Sequence, residues 1–231
     1  NEPLANMTLE ILYTDNHLLV INKPPGLLSQ PDVMGDPSVD VLVQQYLKEK
    51  YDKPGRVYVG LVHRLDRPVS GVMVLARTSK AAKRLSKQFK QRLIQKRYLA
   101  LVEGRCEGLG QMVDYLKKAD RTVQVSDAGD PEASRAELRW QEVAYRKDLT
   151  LVDVDLITGR PHQIRLQFSS RGFPILGDKR YGAASELDGR NLALHSYRLT
   201  VEHPTERRAI TWQAPPPALW PDDIIEDSDQ I

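Results

Sequence analysis

The sequence predicts an α+β fold. Short apolar or alternating runs, typical of strands, recur along the 231 residues, whereas helical periodicity is confined to three stretches. Strands and helices do not alternate regularly, as they do in parallel βαβ proteins. The chain has no internal repeat and no long linker. We therefore expect one compact domain, of one or two lobes, over residues 9–215. An N-terminal extension, residues 1–8, precedes it, and an acidic tail, residues 216–231, follows it.

The chain begins with a predicted hairpin and helix. Two short apolar runs, residues 9–13 and 18–22, flank the turn-forming residues 14–16. The two prolines that follow the second run should end the strand, because proline cannot donate a hydrogen bond to a neighbouring strand. Apolar residues then recur at helical spacing from residue 36 or 38 to residue 50, and Pro37 suits a first helical turn.

Two β-rich runs, residues 56–62 and 71–77, enclose a polar segment and precede a second helix. Thr78 can cap this helix, which is predicted to extend to about Arg92. A helical wheel shows that the helix is amphipathic. Its predicted core face carries apolar side chains and its opposite face carries lysines: Ala82, Leu85, Phe89 and Leu93 on the first, and Lys80, Lys83, Lys87 and Lys90 on the second.

The second half of the chain is predicted to be rich in strands. A turn at residues 158–161 leads into a short helix, residues 162–171, which Gly172 should end. Apolar or alternating runs predict the strands, which lie near residues 97–103, 121–126, 136–140 and 152–156, with a final hairpin near 197–202 and 208–213.

The composition excludes several classes of protein. A hydrophobic content of 41% with 28% charged residues is typical of a globular chain. The single cysteine, Cys106, leaves no disulfide framework, and the five histidines lack metal-ligand spacing. Glycine motifs of nucleotide-phosphate loops are absent, and no apolar stretch is long enough to span a membrane. The N-terminus shows no secretory signal, so we expect a cytoplasmic protein that binds neither metal nor membrane.

The net charge of +2 conceals a separation of charges. The segment from Arg67 to Val102 contains ten lysines and arginines and no acidic residue, and the last eleven residues carry five acidic residues and no basic one. A basic segment in a near-neutral chain indicates a polyanionic partner such as nucleic acid. A solvated helix face would show the same pattern, and charge alone does not separate the two interpretations.

Asp66 is a candidate catalytic residue because of its neighbours. It follows a predicted strand, lies between Arg64 and Arg67 in the sequence, and precedes a proline. A carboxylate among guanidinium groups stays ionised, which suits a nucleophile or an electrostatic stabiliser. For an isolated aspartate in this context, however, turn formation with a local salt bridge is the commoner explanation.

Three further residues are candidates with equally ordinary explanations. Arg160 and Arg165 lie at the start and in the body of the short helix, as in an anion site or on a basic surface. Tyr98 begins a strand, where a tyrosine is usually a core residue with its hydroxyl group hydrogen-bonded.

Taken together, these segments resemble the RluA-type pseudouridine synthases. Residues 63–71, HRLDRPVSG, are similar to the active-site signature of that family. The resemblance extends over residues 9–215 through further motifs in the expected order, at residues 22–26, 96–102, 158–165, 174–178 with 181–182, and 194–195 before 203–204. Gln167 departs from the family, since a histidine is common there, and this departure bears on the substrate subgroup.

The resemblance implies that the protein isomerises uridine to pseudouridine in ribosomal or transfer RNA, with no cofactor. Asp66 would be the essential carboxylate, and attack on the base, attack on the sugar and assisted elimination all remain open. Arg165 would pair with Asp66, and Tyr98 would stack on the uracil and take part in proton transfer. The implied fold is a mixed, mostly antiparallel sheet with flanking helices and a central RNA-binding cleft.

The resemblance also implies which residues bind RNA. Arg64 would enter the RNA where the target nucleotide leaves the stack, and phosphate contacts would come from basic residues elsewhere: Arg67, Arg160, Lys83, Lys87 and Lys90. We expect a monomer. Two alternatives are less consistent with the sequence. A relative that only binds RNA need not keep Asp66, Tyr98 and Arg165 together. A carboxylate hydrolase needs a second acidic residue, and the candidate for it, Asp178, lies in a turn-like context that argues against this role.

Overall fold

The computed structural model describes residues 9–52, 54–120 and 122–226. The predicted extension, residues 1–8, and Asp227 and Asp229 of the predicted tail lie outside these ranges. The strands are, in chain order, β1 (Glu10–Thr14), β2 (Leu18–Lys23), β3 (Gly60–Leu61), β4 (Ser70–Ala76), β5 (Gln95–Glu103), β6 (Leu109–Ala119), β7 (Thr122–Ser126), β8 (Ser134–Arg146), β9 (Leu149–Leu156), β10 (Leu194–Glu202) and β11 (Ala209–Gln213). The helices are α1 (Val39–Lys50), α2 (Ser79–Gln91), α3 (Gln163–Ser169) and α4 (Asp222–Ile225).

The chain divides into two compact units. The first unit comprises Asn1–Ile94 with Arg198–Pro215, and the second comprises Gln95–Tyr197 with Pro216–Ile231. Strand β10 contributes residues to both. The boundaries that the sequence indicates for extension, domain and tail remain predictions.

The first unit is built around β4. Strands β2 and β3 both pair with β4 in antiparallel register, β1 pairs with β2, and β11 pairs with β10. Every residue of β4 is buried, so both faces of this strand are covered. On one side, α2 joins a core cluster that consists of Leu18, Val20, Val72, Val74, Ala76, Ala81, Leu85, Ile94, Leu199, Val201, Trp212 and Ala214.

The second unit contains an antiparallel array in the order β5-β9-β8-β6-β7. Helix α3 packs against β6 and β7. The contact is apolar, and Leu166 of the helix is buried against residues of three strands: Leu116, Val123 and Ala136.

Several predictions are confirmed. The fold is α+β, the first hairpin and α1 form where expected, and the Thr78 hydroxyl group caps α2 by accepting the Ala81 N–H at 3.1 Å. The lysines at positions 80, 83, 87 and 90 of α2 are exposed, as predicted for its basic face. Among the described residues, no helix is long and apolar enough to cross a lipid bilayer.

Other predictions need correction. Leu93 is 66% exposed, because α2 ends at Gln91 and Arg92 adopts a left-handed conformation with φ of +59°. Gln88 is buried instead. Its Nε2 atom donates to the Glu202 carbonyl oxygen, and its Oε1 atom accepts the Glu202 N–H. The β-rich run 56–62 forms only the two-residue strand β3, and α3 is shorter than predicted at both ends. Strand β6 was not predicted.

Candidate active site

The turn that carries Asp66 connects β3 to β4 in the first unit. The Ser29 hydroxyl group donates to the Leu65 carbonyl oxygen at 2.6 Å and accepts the Leu65 N–H at 3.2 Å. On the other side, the Val69 N–H donates to the Asp66 carbonyl oxygen at 3.0 Å. The backbone is therefore bonded on both sides of Asp66, whose side chain is half-buried. This rigid support is what a catalytic carboxylate needs.

Lys23, the last residue of β2, is completely buried beneath this turn. Its ammonium group donates to three backbone carbonyl oxygens, of Pro24 at 3.0 Å, Leu27 at 2.7 Å and Arg67 at 3.2 Å. The pKa of Lys23 is lowered to about 7, mainly by burial; the Asp66 carboxylate opposes the shift, and the positive charge of Arg67 adds to it. Lys23 thus links the end of β2 to the Asp66 turn.

Lys23 is not among the site residues that the sequence predicts. The signal was present, since a lysine ends an apolar strand and two prolines follow it. Lysine is almost never fully buried unless its charge is compensated, so its position in an apolar run could have indicated a structural or functional contact.

The lowered pKa of Lys23 predicts a pH dependence of stability. The pKa of Lys23 is about 7 in the folded protein, whereas the ordinary lysine pKa of 10.5 applies to the unfolded chain. Between these values the unfolded state binds more protons, so the free energy of unfolding should rise with pH by up to about 1.4 kcal/mol per pH unit from this group. Lys23→Met cannot titrate and should lack this contribution. Urea unfolding of both proteins from about pH 6 to about pH 10 measures it, and parallel profiles would contradict it.

Two other residues of the turn contact the first unit through their side chains. The Nε2 atom of His63 accepts the Val74 N–H at 3.0 Å, and its ring stacks on Phe89 at a centroid distance of 4.7 Å. The Arg67 guanidinium group pairs with Asp36 at 2.8 Å. His63 therefore helps to shape the turn, whereas the side chains of Arg67 and Arg64 are exposed to solvent.

Tyr98 and Arg165 lie in the second unit. Tyr98 is on β5, opposite Val154 of β9, and is 8% exposed. Its neighbour Arg97 donates through Nε to the buried Asp153 at 3.1 Å. Tyr98 is thus held in a regular, paired strand, and its position relative to the Asp66 turn stays a prediction.

Arg165 forms a buried two-pronged ion pair with Asp178. The Nε atom lies 2.6 Å from Oδ2 and the Nη2 atom lies 2.7 Å from Oδ1, and the two side chains are 6% and 1% exposed. The guanidinium group also lies over the Tyr181 ring, 5.1 Å from its centroid. Within the second unit, Asp178 is therefore the carboxylate that fixes Arg165. Pairing of Arg165 with Asp66 remains a prediction.

The sequence places Asp178 in a turn-like context, and the residue does precede a 3₁₀ turn, Lys179–Tyr181. Asp178 itself is 2% exposed, whereas Lys179 and Arg180 of the turn are exposed, and the sequence did not reveal this burial of Asp178. The preceding Gly177 has φ of +86°, and a Cβ atom there would lie 2.4 Å from the Asn191 carbonyl oxygen. Close backbone packing at Gly177 therefore buries Asp178 where Arg165 can reach it.

The turn before α3 is held by Gln163. The Gln163 side-chain oxygen accepts the Thr158 hydroxyl at 2.6 Å and the Arg160 N–H at 3.0 Å, and its Nε2 atom donates to the Glu137 carbonyl oxygen at 3.0 Å. Arg160 is half-buried and donates through Nε to the Arg135 carbonyl oxygen at 3.1 Å. The backbone that presents Arg160 and begins α3 is therefore fixed by side-chain hydrogen bonds.

Gln167, the departure from the family motif, is completely buried on α3. Its Nε2 atom donates to the Asp114 carboxylate at 2.7 Å, and Arg171 pairs with the same carboxylate at 3.0 Å. No described residue hydrogen-bonds its Oε1 atom. The Asp114 carboxylate of β6 thus accepts hydrogen bonds from both Gln167 and Arg171.

One cluster in the first unit has the composition of a metal site: Asp15, His203 and Glu206. Its ligand atoms are engaged by the protein itself. Asp15 accepts the Leu18 N–H at 2.7 Å and bonds Nε2 of His203 at 2.8 Å, while Nδ1 of His203 accepts the Glu206 N–H at 3.0 Å. We interpret the cluster as a support for the turns after β1 and β10.

Comparison with known proteins identifies similar chains. A family model described as RNA pseudouridylate synthase matches residues 17–170. The dual-specificity RNA pseudouridine synthase RluA of Escherichia coli (strain K12) is 35% identical over 215 residues, covering 90% of this chain and 93% of that protein. Ribosomal large subunit pseudouridine synthase C of Buchnera aphidicola subsp. Schizaphis graminum (strain Sg) is 33% identical, covering 91% of this chain and 68% of that protein. The structure of Human RNA Pseudouridylate Synthase Domain Containing 4 has a similar fold, with a TM-score of 0.75 at 22% identity over 96% of this chain and 92% of that chain.

Proposed function

This chain belongs to the RNA pseudouridylate synthase family and is an isomerase that converts uridine to pseudouridine. On that premise we propose that it acts on ribosomal or transfer RNA, with Asp66 as its catalytic carboxylate. The observation that carries the proposal is the rigid turn between β3 and β4, which presents a half-buried carboxylate within the signature segment. The choice of RNA rests on the relatives, one described as having dual specificity and another as acting on the large ribosomal subunit.

The reaction rearranges bonds within one substrate. The bond from N1 of uracil to C1′ of the ribose breaks, the base turns, and a bond from C5 to C1′ forms. C5 loses its hydrogen as a proton, and N1 gains a proton. No electrons are gained or lost, so the reaction consumes no redox cofactor, and we propose that it needs no metal. Asp66 can attack C1′, attack C6 of the base or assist elimination, and each route needs an ionised carboxylate held in place.

Arg165 and Tyr98 complete the proposed catalytic group. We assign Arg165 the role of orienting Asp66 through charge-assisted hydrogen bonds, with Asp178 fixing the guanidinium group from within its own unit. Tyr98 would contact the uracil and move the proton at C5. The support for both roles is the order of the family motifs that contain these residues.

The target base must leave its stack or lie in a loop, because a stacked base is out of reach. Arg64, which is exposed on the Asp66 turn, would take the place of the displaced nucleotide. Phosphate contacts would come from Arg67, from Arg160 and from three lysines of the basic face of α2: Lys83, Lys87 and Lys90. We further propose a cytoplasmic location, since two of the similar synthases named above come from bacteria, and a monomeric state.

The proposed function is tested with unmodified transcripts of bacterial large-subunit ribosomal RNA and of transfer RNAs that carry tritium at C5 of uridine. Formation of the carbon–carbon bond releases this tritium to water, so release measures the reaction directly. We expect release from at least one of the two RNA classes, followed by mapping of the converted position. Absence of release from both would contradict the proposed substrates.

Contacts from the basic face of α2 predict a salt effect. Replacement of Lys83, Lys87 and Lys90 by glutamine should reduce the slope of log K against log salt by about 0.7 per lost contact on single-stranded RNA and about 0.9 on duplex. The matched control removes three other exposed lysines: Lys48, Lys50 and Lys118. Filter binding at several salt concentrations measures the slope. If the two triple variants had equal slopes, the prediction would be wrong, and the basic face of α2 would be only a solvated surface.

A further inference from the structure

The loop between β2 and α1 presents two apolar side chains to solvent. Val33 is 101% exposed and Met34 is 80% exposed, relative to their reference areas. Single exposed apolar residues are ordinary on protein surfaces. The pair is informative because of where its loop, residues 30–37, begins and ends.

The base of the loop is closed, and its N-terminal end is attached at the Asp66 turn. The Val39 N–H donates to the Leu28 carbonyl oxygen at 2.8 Å, which closes the base of the loop. Ser29, the residue before the loop, bonds both the N–H and the carbonyl of Leu65, and Leu65 immediately precedes Asp66. The loop therefore emerges directly beside the proposed catalytic residue.

The two carboxylates of the loop, Asp32 and Asp36, are already engaged. The Asp32 carboxylate accepts the Met34 N–H at 3.0 Å, which turns the chain at the tip. Asp36 pairs with Arg67 at 2.8 Å, so the loop is also tied through a side chain to the residue that follows Asp66. These contacts leave Val33 and Met34 as the groups that the tip offers to a partner.

We propose that Val33 and Met34 pack against unstacked bases beside the target uridine, an inference that rests on the proposed function. Extraction of a uridine exposes the faces of its neighbours, and an apolar side chain can cover such a face. Met34 suits irregular aromatic surfaces because its side chain is flexible and polarisable. The exposed Arg64 and Arg67 on the adjoining turn favour RNA over an apolar protein partner.

The test compares Val33→Ser/Met34→Gln with the wild type on the transcript that releases tritium. The double variant should raise KM about tenfold with kcat nearly unchanged, because a contact made equally in ground and transition states affects only KM. Val33→Leu/Met34→Leu, which keeps apolar side chains, should behave like the wild type. Leu109→Gln on β6 is a matched control, since Leu109 is also 80% exposed. All variants should keep the melting temperature of the wild type.

Fluorescence of 2-aminopurine placed next to the target uridine gives a second readout of the same contact. Binding of the wild type should change this fluorescence, and the polar double variant should change it less. If the wild type released no tritium, the proposed function would be wrong and the inference with it. If the wild type is active and the polar double variant has the same KM and the same fluorescence response, only the inference is wrong, and the tip serves another partner.

Discussion

Asp66→Asn should reduce pseudouridine formation by at least about 10³-fold, because the carboxylate itself is required for the covalent or elimination step. Asparagine has nearly the same size and keeps a polar side chain, so the hydrogen bonds of the Ser29 hydroxyl group and of the Val69 N–H to this turn should persist. RNA affinity should change little, because phosphate contacts contribute most of it. Tritium release, RNA binding and melting temperature are measured on one preparation.

The matched control is Asp52→Asn. Asp52 is exposed at the end of α1 and has φ of +45°, a conformation that asparagine also tolerates. This variant should have the activity of the wild type. A folded Asp66→Asn protein that released tritium at the wild-type rate would show that Asp66 only forms a turn, and the assignment of the active site would be wrong.

Arg165→Met should lower the free energy of unfolding by about 3–5 kcal/mol, because it leaves the buried Asp178 without its partner. This is a large part of the ~5–15 kcal/mol that stabilises a typical domain. The double variant Arg165→Met/Asp178→Leu removes both charges and should recover most of the loss. Urea unfolding of the wild type and the three variants, including Asp178→Leu alone, gives the coupling energy.

Arg171→Met provides the contrast for this measurement. Arg171 also pairs with a carboxylate, Asp114, but its side chain is 35% exposed, so its loss should cost no more than about 1 kcal/mol. Equal effects of Arg165→Met and Arg171→Met would mean that the buried pair contributes no more than a surface pair. Neither Arg165 variant is expected to be active, since Arg165 is also proposed to orient Asp66.

The strands and helices with local signals could be predicted from the sequence. The first hairpin follows from turn residues between apolar runs, and α2 follows from Thr78 and a helical pattern. The order of motifs around residues 63–71 was enough to indicate the family, which the comparisons confirm. Strand β6 lacked such a signal, because only Met112 and Leu116 of its eleven residues are buried.

The tertiary structure alone decided which polar residues are buried together. Lys23 bonds the Arg67 carbonyl oxygen 44 positions away, and Ser29 bonds Leu65 across 36 positions. Arg165 meets Asp178 only because the chain folds closely at Gly177. Local propensity depends on neighbours in sequence, whereas burial and ion pairing depend on which distant segments pack against each other. The sequence by itself therefore determined the class of fold, the family and the candidate carboxylate, Asp66. The packing determined which hydrogen bonds support the turn that carries Asp66.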